Sequence, residues 1–433
     1  MQFFQIKGSF SSTKGQRKTS FTPHRPFNTL PTALKSGILA SMQTVMIPKY
    51  LLALLVVSFF SFIAYPQSPY NKQKMDRRAE KAPAKWQQDL PRLTAYLIDP
   101  AENDFEKVRA IYTWITLNIS YDHKVIADDS KRINKHIGDI LRRRKAICMG
   151  YAALFKQMCE IANLEAAVVD GYSKGTATSI PDLSAPDHSW NAVKIEEQWY
   201  LLDATWGSSL LQRDENYTTI NEDYFLSSPE DFILTHLPNL PMWQLLDCPI
   251  RPADYVHPPQ AIHAQIDTCD TTYIYKDSIA SFFTLPLPKR SLAAATTAHR
   301  FNPTPTMQKE LGHALVDYAG ILSDSLEYYT APDQLKTVVR LQHNIIGYCE
   351  RAAQLTPLHN WQKELWAGAL INQVVAFFQQ NQSSKSPPHP WSELITTLEE
   401  AQSILVQTKA SYFTQMASQQ CEEYITILKD YAR

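Results

Sequence analysis

Residues 142–162 read RRRKAICMGYAALFKQMCEIA: four consecutive cations run into an apolar helix within a few residues, and Cys148 stands at the junction. Beyond it Ala152, Phe155, Cys159 and Ala162 recur at three- and four-residue steps, so the spacing predicts an amphipathic helix that docks on a core and begins at the cysteine. A cysteine in that place is either packing or a nucleophile. Free cysteine is among the most buried residue types. A helix N-terminus, however, offers unpaired N–H groups and the positive end of the macrodipole to a thiolate. The Arg142–Lys145 run reads as solvated surface, adding a modest positive potential that salt screens. Cys159 lies about three turns further along the same face and reads as core filler.

A nucleophilic cysteine needs a base, and the base needs an orienting acceptor. The Cys148 helix carries no histidine, so both must come from elsewhere in the chain. After it, EAAVVDGYS (165–173) predicts a buried strand, followed by the polar loop KGTATSIPDLSAPD (174–187). HSWNAVKI and WYLLDATWG, separated by the polar Glu196, Glu197 and Gln198, then predict a β-hairpin. His188 opens its first strand and Asp203 closes its second. Residues of opposite parity on strands joined by an even-length loop share a face, so these two side chains point the same way. A directly opposed pair would centre the turn near Ile195–Glu196, slightly before the polar trio, so the hairpin needs a bulge or an offset. With that geometry Asp203 accepts from one imidazole nitrogen while the other faces Cys148, which is the logic of a catalytic triad.

The segments IYTWITLNISYD, AICMGYAALFKQMCEIANLEAAVVDGY, HSWNAVKIEEQWYLLDATWG and YFLSSPEDFILTHLPNLPMWQLL resemble, in order, blocks of the transglutaminase-like superfamily. The resemblance is to the branch of kyphoscoliosis-peptidase and cytokinesis-protein relatives and their bacterial members, and it covers residues 104–246, about a third of the chain. It implies an α+β, papain-like cysteine-enzyme core with the cysteine on a helix and the histidine and aspartate on adjacent strands. The family's nucleophile falls on Cys148, its base on His188 and its orienting acid on Asp203. Ala146 stands where relatives often have glycine, which touches the turn into the helix and leaves the triad intact. Relatives use an upstream aromatic near the oxyanion; Trp114 and Tyr121 are the residues in place, although Trp114 reads as a core anchor. Trp190, Trp199 and Trp206 flank the hairpin as cleft wall or packing, and His236, in the TH…P block, reads as structural.

Composition bounds the rest. The 433 residues are 44% hydrophobic, enough for two or three domains, and the net charge of −1 gives no reason to expect a nucleic-acid partner. Six cysteines are too sparse for a disulfide scaffold, and neither a CxxC pair nor HExxH occurs, so no metal or cofactor is expected. Residues 76–121 predict two helices, the second N-capped by Asp104 with Val108, Ile111, Ile115 and Ile119 on one face; residues 136–144 predict a short one. From residue 305 onward, 306–330, 332–355, 359–381, 390–408 and 411–432 predict an all-α C-terminal domain without a repeat period. Between them, 251–304 predicts a Pro-rich linker with short strands such as TTYIY. The expected division is a basic leader over 1–68, a catalytic domain over 69–250, that linker, and helices over 305–433.

No Asp or Glu precedes Asp76, and residues 50–65, YLLALLVVSFFSFIAY, carry no charge. With Lys49 in front and a start at Met42 or Met46, this run reads as a secretory signal. An uncleaved membrane anchor and an organellar transit peptide are the alternatives, because Phe62 spoils the cleavage pattern and Lys72, Lys74, Arg77 and Arg78 follow. The expected location is therefore periplasmic, cell-surface or secreted, with membrane association through 50–65 as the variant. The expected chemistry is attack of Cys148 on an amide of a protein or peptide, through a thioester that water resolves. Capture by an amine, as in a cross-linking transglutaminase, is the alternative, and so is a non-catalytic scaffold, since cytokinesis-type relatives have lost the cysteine. The helical tail reads as a surface for a protein partner.

Overall fold

In the computed structural model the described residues are 70–123, 136–208, 220–270, 273–329, 332–382, 384 and 388–433. The apolar run 50–65 and the leader around it lie outside them. No helix among the described residues is long and apolar enough to cross a membrane.

Three helices, where two were expected, precede the segment quoted above: α1 (Lys72–Glu80), α2 (Leu90–Ile98) and α3 (Asp104–Asn118). The N-cap of α3 is Asn103, whose side chain accepts the Glu106 N–H; Asp104 lies one position inside and complements the dipole instead. Val108, Ile111 and Ile115 are buried as expected, but so is nearly every residue from Phe105 to Thr116, because α1, α2 and the cysteine helix all pack on α3. The buried Arg109 is met by two carboxylates, Asp76 (2.7 and 2.9 Å) and Glu222 (2.6 and 2.8 Å). A desolvated guanidinium persists only when paired in this way, and the pairing fastens α1 and α3 to the chain that follows Asp203.

α4 (Ile137–Arg143) stops at Arg144, which takes a left-handed conformation (φ 56°). The chain then forms β2 (Lys145–Ala146), parallel to β1 (Ser120–Tyr121), and enters α5 (Cys148–Ile161). The RRRK run is not wholly solvated. Arg143 pairs with Asp122 at 3.0 Å, and Arg144 donates to Gln87 Oε1 at 2.5 Å while lying over the Trp114 ring.

A four-stranded antiparallel sheet, in the order β5-β4-β3-β6, packs on α5. Its strands are β3 (Ala166–Ser173), β4 (His188–Ile195), β5 (Gln198–Leu202) and β6 (His236–Pro238). Glu196 and Glu197 both have positive φ (48° and 66°) and make a two-residue turn that pairs Ile195 with Gln198 and Asn191 with Leu202. Continuing that register sets Asp203 against Trp190, two positions along from His188. The hairpin therefore uses an offset and needs no bulge. Helix α6 (Pro229–Phe232), capped by Ser228, leads into β6.

β6 pairs with β3 at Gly171, opposite Pro238. A Cβ on Gly171 would lie 2.2 Å from the Leu237 carbonyl oxygen, 2.6 Å from the Trp190 ring and 2.7 Å from Pro238 Cα. Only glycine lets β6 come this close.

The strands expected in 251–304 do not occur among the described residues. The segment forms α7 (Pro252–Tyr255), α8 (Pro259–Asp267), α9 (Tyr275–Thr284) and α10 (Leu287–Phe301). The prolines misled because Pro252, Pro259 and Pro288 sit in first turns, where a missing N–H costs nothing. A disulfide, Cys248–Cys269, closes the stretch that holds α7 and α8. α11 (Pro305–Ser325), α12 (Leu335–Leu355), α13 (Asn360–Gln382), α14 (Trp391–Val406) and α15 (Tyr412–Tyr431) follow, each packed on the next around one apolar cluster.

Gly171→Ala should force β6 away from β3 and destabilise the protein by about 1–3 kcal/mol, the usual range for overpacking a fixed contact. Urea unfolding of the two proteins measures this; an unchanged midpoint would mean that β6 can shift freely.

Candidate active site

Cys148 is the first residue of α5, and the preceding Ile147 supplies no side-chain cap. The Ile147 carbonyl accepts the N–H groups of Gly150 and Tyr151, leaving the N–H of Cys148 at the open end of the helix. Of the four free cysteines Cys148 alone is partly exposed; Cys159, Cys349 and Cys421 are buried. His188 and Tyr121 both interact electrostatically with Cys148.

Behind His188 stands Asp203, with no solvent exposure. Its Oδ1 accepts the Thr205 N–H at 2.7 Å, and its Oδ2 accepts Nε2 of His188 at 2.7 Å and Nε2 of His236 at 3.2 Å. The sequence thus led to three residues that the fold does bring together, through His188 at the centre. His236, read as structural, is a fourth member. Its signal was a polar pair, Thr235–His236, inside the apolar run FILTHLP.

Electrostatics separate the two histidines. Burial alone would lower the His188 pKa, but the charge and hydrogen bond of Asp203, together with the interaction with Cys148, override it and raise it to about 10. Burial also dominates at His236, and the nearby His188 charge adds to it, so its pKa is pushed down to about 4 despite Asp203. One ring is held protonated and the other neutral. For Asp203 burial favours the acid form, yet the His188 charge and the two imidazole donors hold its carboxyl well below the usual carboxylate range. His188, Asp203 and His236 offer donor atoms within 4.8 Å of one another, a spacing that a metal ion could use. Both Nε2 atoms converge on a single carboxylate oxygen, however, which is the arrangement of two N–H donors on one acceptor.

The tryptophans divide as cleft and core. Trp206 lies 5.2 Å from the His188 ring, and Trp190, fully buried, lies 6.0 Å away. Trp199 stacks on Phe283 in the apolar cluster that also holds Trp190, and Trp114 is a core residue beneath Arg144. Of the two upstream aromatics, Trp114 and Tyr121, it is Tyr121 that interacts with Cys148.

Residues 91–204 match the family model described as the transglutaminase-like superfamily. Kyphoscoliosis peptidase of Mus musculus is 40% identical over 181 residues, which are 41% of this chain and 27% of that protein. Hillarin of Drosophila melanogaster is 30% identical over 208 residues, covering 44% of this chain and 25% of its own. The Lim and transglutaminase domain protein ltd-1 of Caenorhabditis elegans is 33% identical over 165 residues, covering 35% and 22%. The chain spans about a quarter of the length of these relatives. With its cysteine at a helix start and the histidine and aspartate delivered by a neighbouring hairpin, the segment 91–204 is a transglutaminase-like domain of the branch that contains kyphoscoliosis peptidase, hillarin and ltd-1.

Proposed function

We propose that this protein is a cysteine-dependent amide-bond hydrolase acting on a protein or peptide. The grouping of Cys148, His188 and Asp203 carries the reading: His188 bonds Asp203 at 2.7 Å and interacts electrostatically with Cys148 at the start of α5. Cys148 Sγ attacks the scissile carbonyl carbon, and negative charge moves onto the carbonyl oxygen. The donors we assign to that oxygen are the Cys148 N–H, at the open end of α5, and the Tyr121 hydroxyl. Collapse breaks the C–N bond, His188 gives its proton to the leaving amine, and a thioester remains. Water then attacks the thioester, losing a proton to His188, and the thiol is released with a carboxylic acid. Throughout, Asp203 holds the His188 tautomer and balances the imidazolium charge.

Water rather than an amine is the second substrate in this reading, because the loop over 174–187 is mostly polar and its Ile180 is 85% exposed. Nothing in it would shield a thioester from solvent. We also place the protein in an oxidising compartment outside the cytosol, a location that the Cys248–Cys269 disulfide and the apolar run 50–65 both favour. A protein partner for the exposed faces of α11–α15 belongs to the same proposal.

Iodoacetamide should modify Cys148 and spare the three buried thiols, and the single adduct should remove all peptidase activity, as should Cys148→Ala. Peptide mapping and a cleavage assay check this; cleavage that survives Cys148→Ala would sink the nucleophile assignment. Asp203→Asn should keep His188 in place but favour the wrong tautomer, with a rate loss on the order of 10⁴ by analogy with the serine triad.

The pH profile follows from His188. Its folded pKa of about 10 lies above the ordinary value, so the proton needed by the leaving amine is held at neutral pH and lost as pH rises through about 10. Peptide kcat/KM should therefore have its alkaline limb there. A limb near 6.5 would show that Asp203 does not support the imidazolium. To separate hydrolysis from transfer, the full chain is given a glutamine-containing protein and a labelled primary amine. New N-termini with free label are expected, whereas covalent label appearing faster than cleavage would make the protein a transferase.

A further inference from the structure

Cys148, His188, Asp203 and Tyr121 account for every step above and leave His236 without a task, although it is as buried as any side chain in the site. It is also tightly placed. The Thr235 hydroxyl meets its Nδ1 at 2.8 Å, so the ring proton sits on Nε2 and points at Asp203. Phe232 stacks on the ring at 4.2 Å, and Trp206 and Trp190 meet it edge-on at 4.6 and 5.0 Å. β6 is held in turn by the close approach at Gly171 and by the Lys174 N–H on the Thr235 carbonyl.

We propose that His236 is a positioning residue whose neutral Nε2–H fixes the Asp203 carboxylate and moderates its hold on the His188 proton. The proposal rests on the reading of Cys148, His188 and Asp203 as the catalytic set. Two physical points lead to it. Thr205 holds Oδ1 and the histidines hold Oδ2, so the carboxylate is pinned at both oxygens and cannot turn away from His188. A donor on Oδ2 also withdraws charge from the carboxylate. An unmoderated, fully buried Asp203 would bind the imidazolium more tightly and make His188 a poorer acid toward the leaving amine.

The surroundings keep His236 neutral while it does so. Its ring centre is 5.4 Å from that of His188, so a second positive charge there would oppose the first. Among the described residues, the other titratable groups that interact with the Asp203–His188 cluster are Cys148, Tyr121, Tyr112, Tyr151, Tyr224 and Asp170. The imidazole N–H is thus a donor that brings no charge of its own.

His236→Phe and His236→Gln in the full chain test the proposal. Phe keeps the ring packing and removes the donor; Gln places an amide N–H where Nε2 was. With His236→Phe, kcat on an amide substrate should fall about tenfold, the scale of one lost net hydrogen bond, with KM unchanged. The alkaline limb of kcat/KM should move to higher pH, and His236→Gln should restore both toward the parent. Titration of the His188 ring by NMR in a Cys148→Ala background should show the same upward move for Phe and its reversal for Gln. That arm needs no turnover, so it separates failure of this inference from failure of the hydrolase reading. A folded His236→Phe protein with the parent's kcat and His188 titration would overturn the proposal. So would equal losses in Phe and Gln with the His188 titration unmoved, which is the signature of packing alone.

Discussion

A carboxylate with no access to water must be met by donors or give up its charge, and Asp203 is such a group. Three N–H groups meet it: a backbone amide two residues on, and two imidazoles from separate strands. This single requirement orders much of the fold around it. His188 must open β4, His236 must open β6, and the chain after Leu202 must leave the sheet at once so that Thr205 can turn its N–H back. The same chain, at Glu222, returns to the Arg109 guanidinium that anchors α1 and α3. A buried cluster around Asp203 and an ion-pair cluster around the buried Arg109 thus share one stretch of chain. Each is costly to desolvate and cohesive once formed, because removing one member leaves an uncompensated charge behind.

How the hairpin satisfies that requirement was partly legible in the sequence. Parity put His188 and Asp203 on one face, and the polar trio located the turn; the missing piece was the two-residue turn at Glu196–Glu197. Glutamates in left-handed geometry carry no turn signature comparable to Asn-Gly, so the register could be placed only to within an offset. The place of Cys148 was readable because its signals are local: a helix start, a run of cations and an amphipathic period sit within twenty residues. The place of His236 beside Asp203 was not, because it depends on a close strand pairing at Gly171 that lies 65 residues away in sequence. Asn103 as the cap of α3, rather than Asp104, was within the usual uncertainty of helix ends.

The segment 251–304 was misread for a different reason. Proline was taken as a breaker of regular structure, yet at a first helical turn it is compatible with the helix and even preorganised for it. Three of the four helices there use it in that way. The five helices after residue 305 were read to within a few residues at each end because their periodicity is long and uninterrupted, the condition under which sequence patterns are most informative. The disulfide left no trace in the spacing, since two cysteines among six specify no pairing.

The helices beyond residue 250 also bear on the site through packing. Trp190, Leu201 and Trp243 share one apolar cluster with Ile279 of α9, Ala298 of α10 and Met307 of α11. Trp199 stacks on Phe283 at 6.0 Å with rings nearly parallel. The opposite sheet face, with Val193, Ile195 and Leu202, is filled by α3 and α5. The sheet that carries both histidines is therefore a middle layer, and α9–α11 complete the covering of its Trp190 face. Trp190 also packs edge-on against His236. Any loosening of α9–α11 would therefore reach the Asp203 cluster through one intervening side chain, so the helical region belongs to the same physical unit as the site.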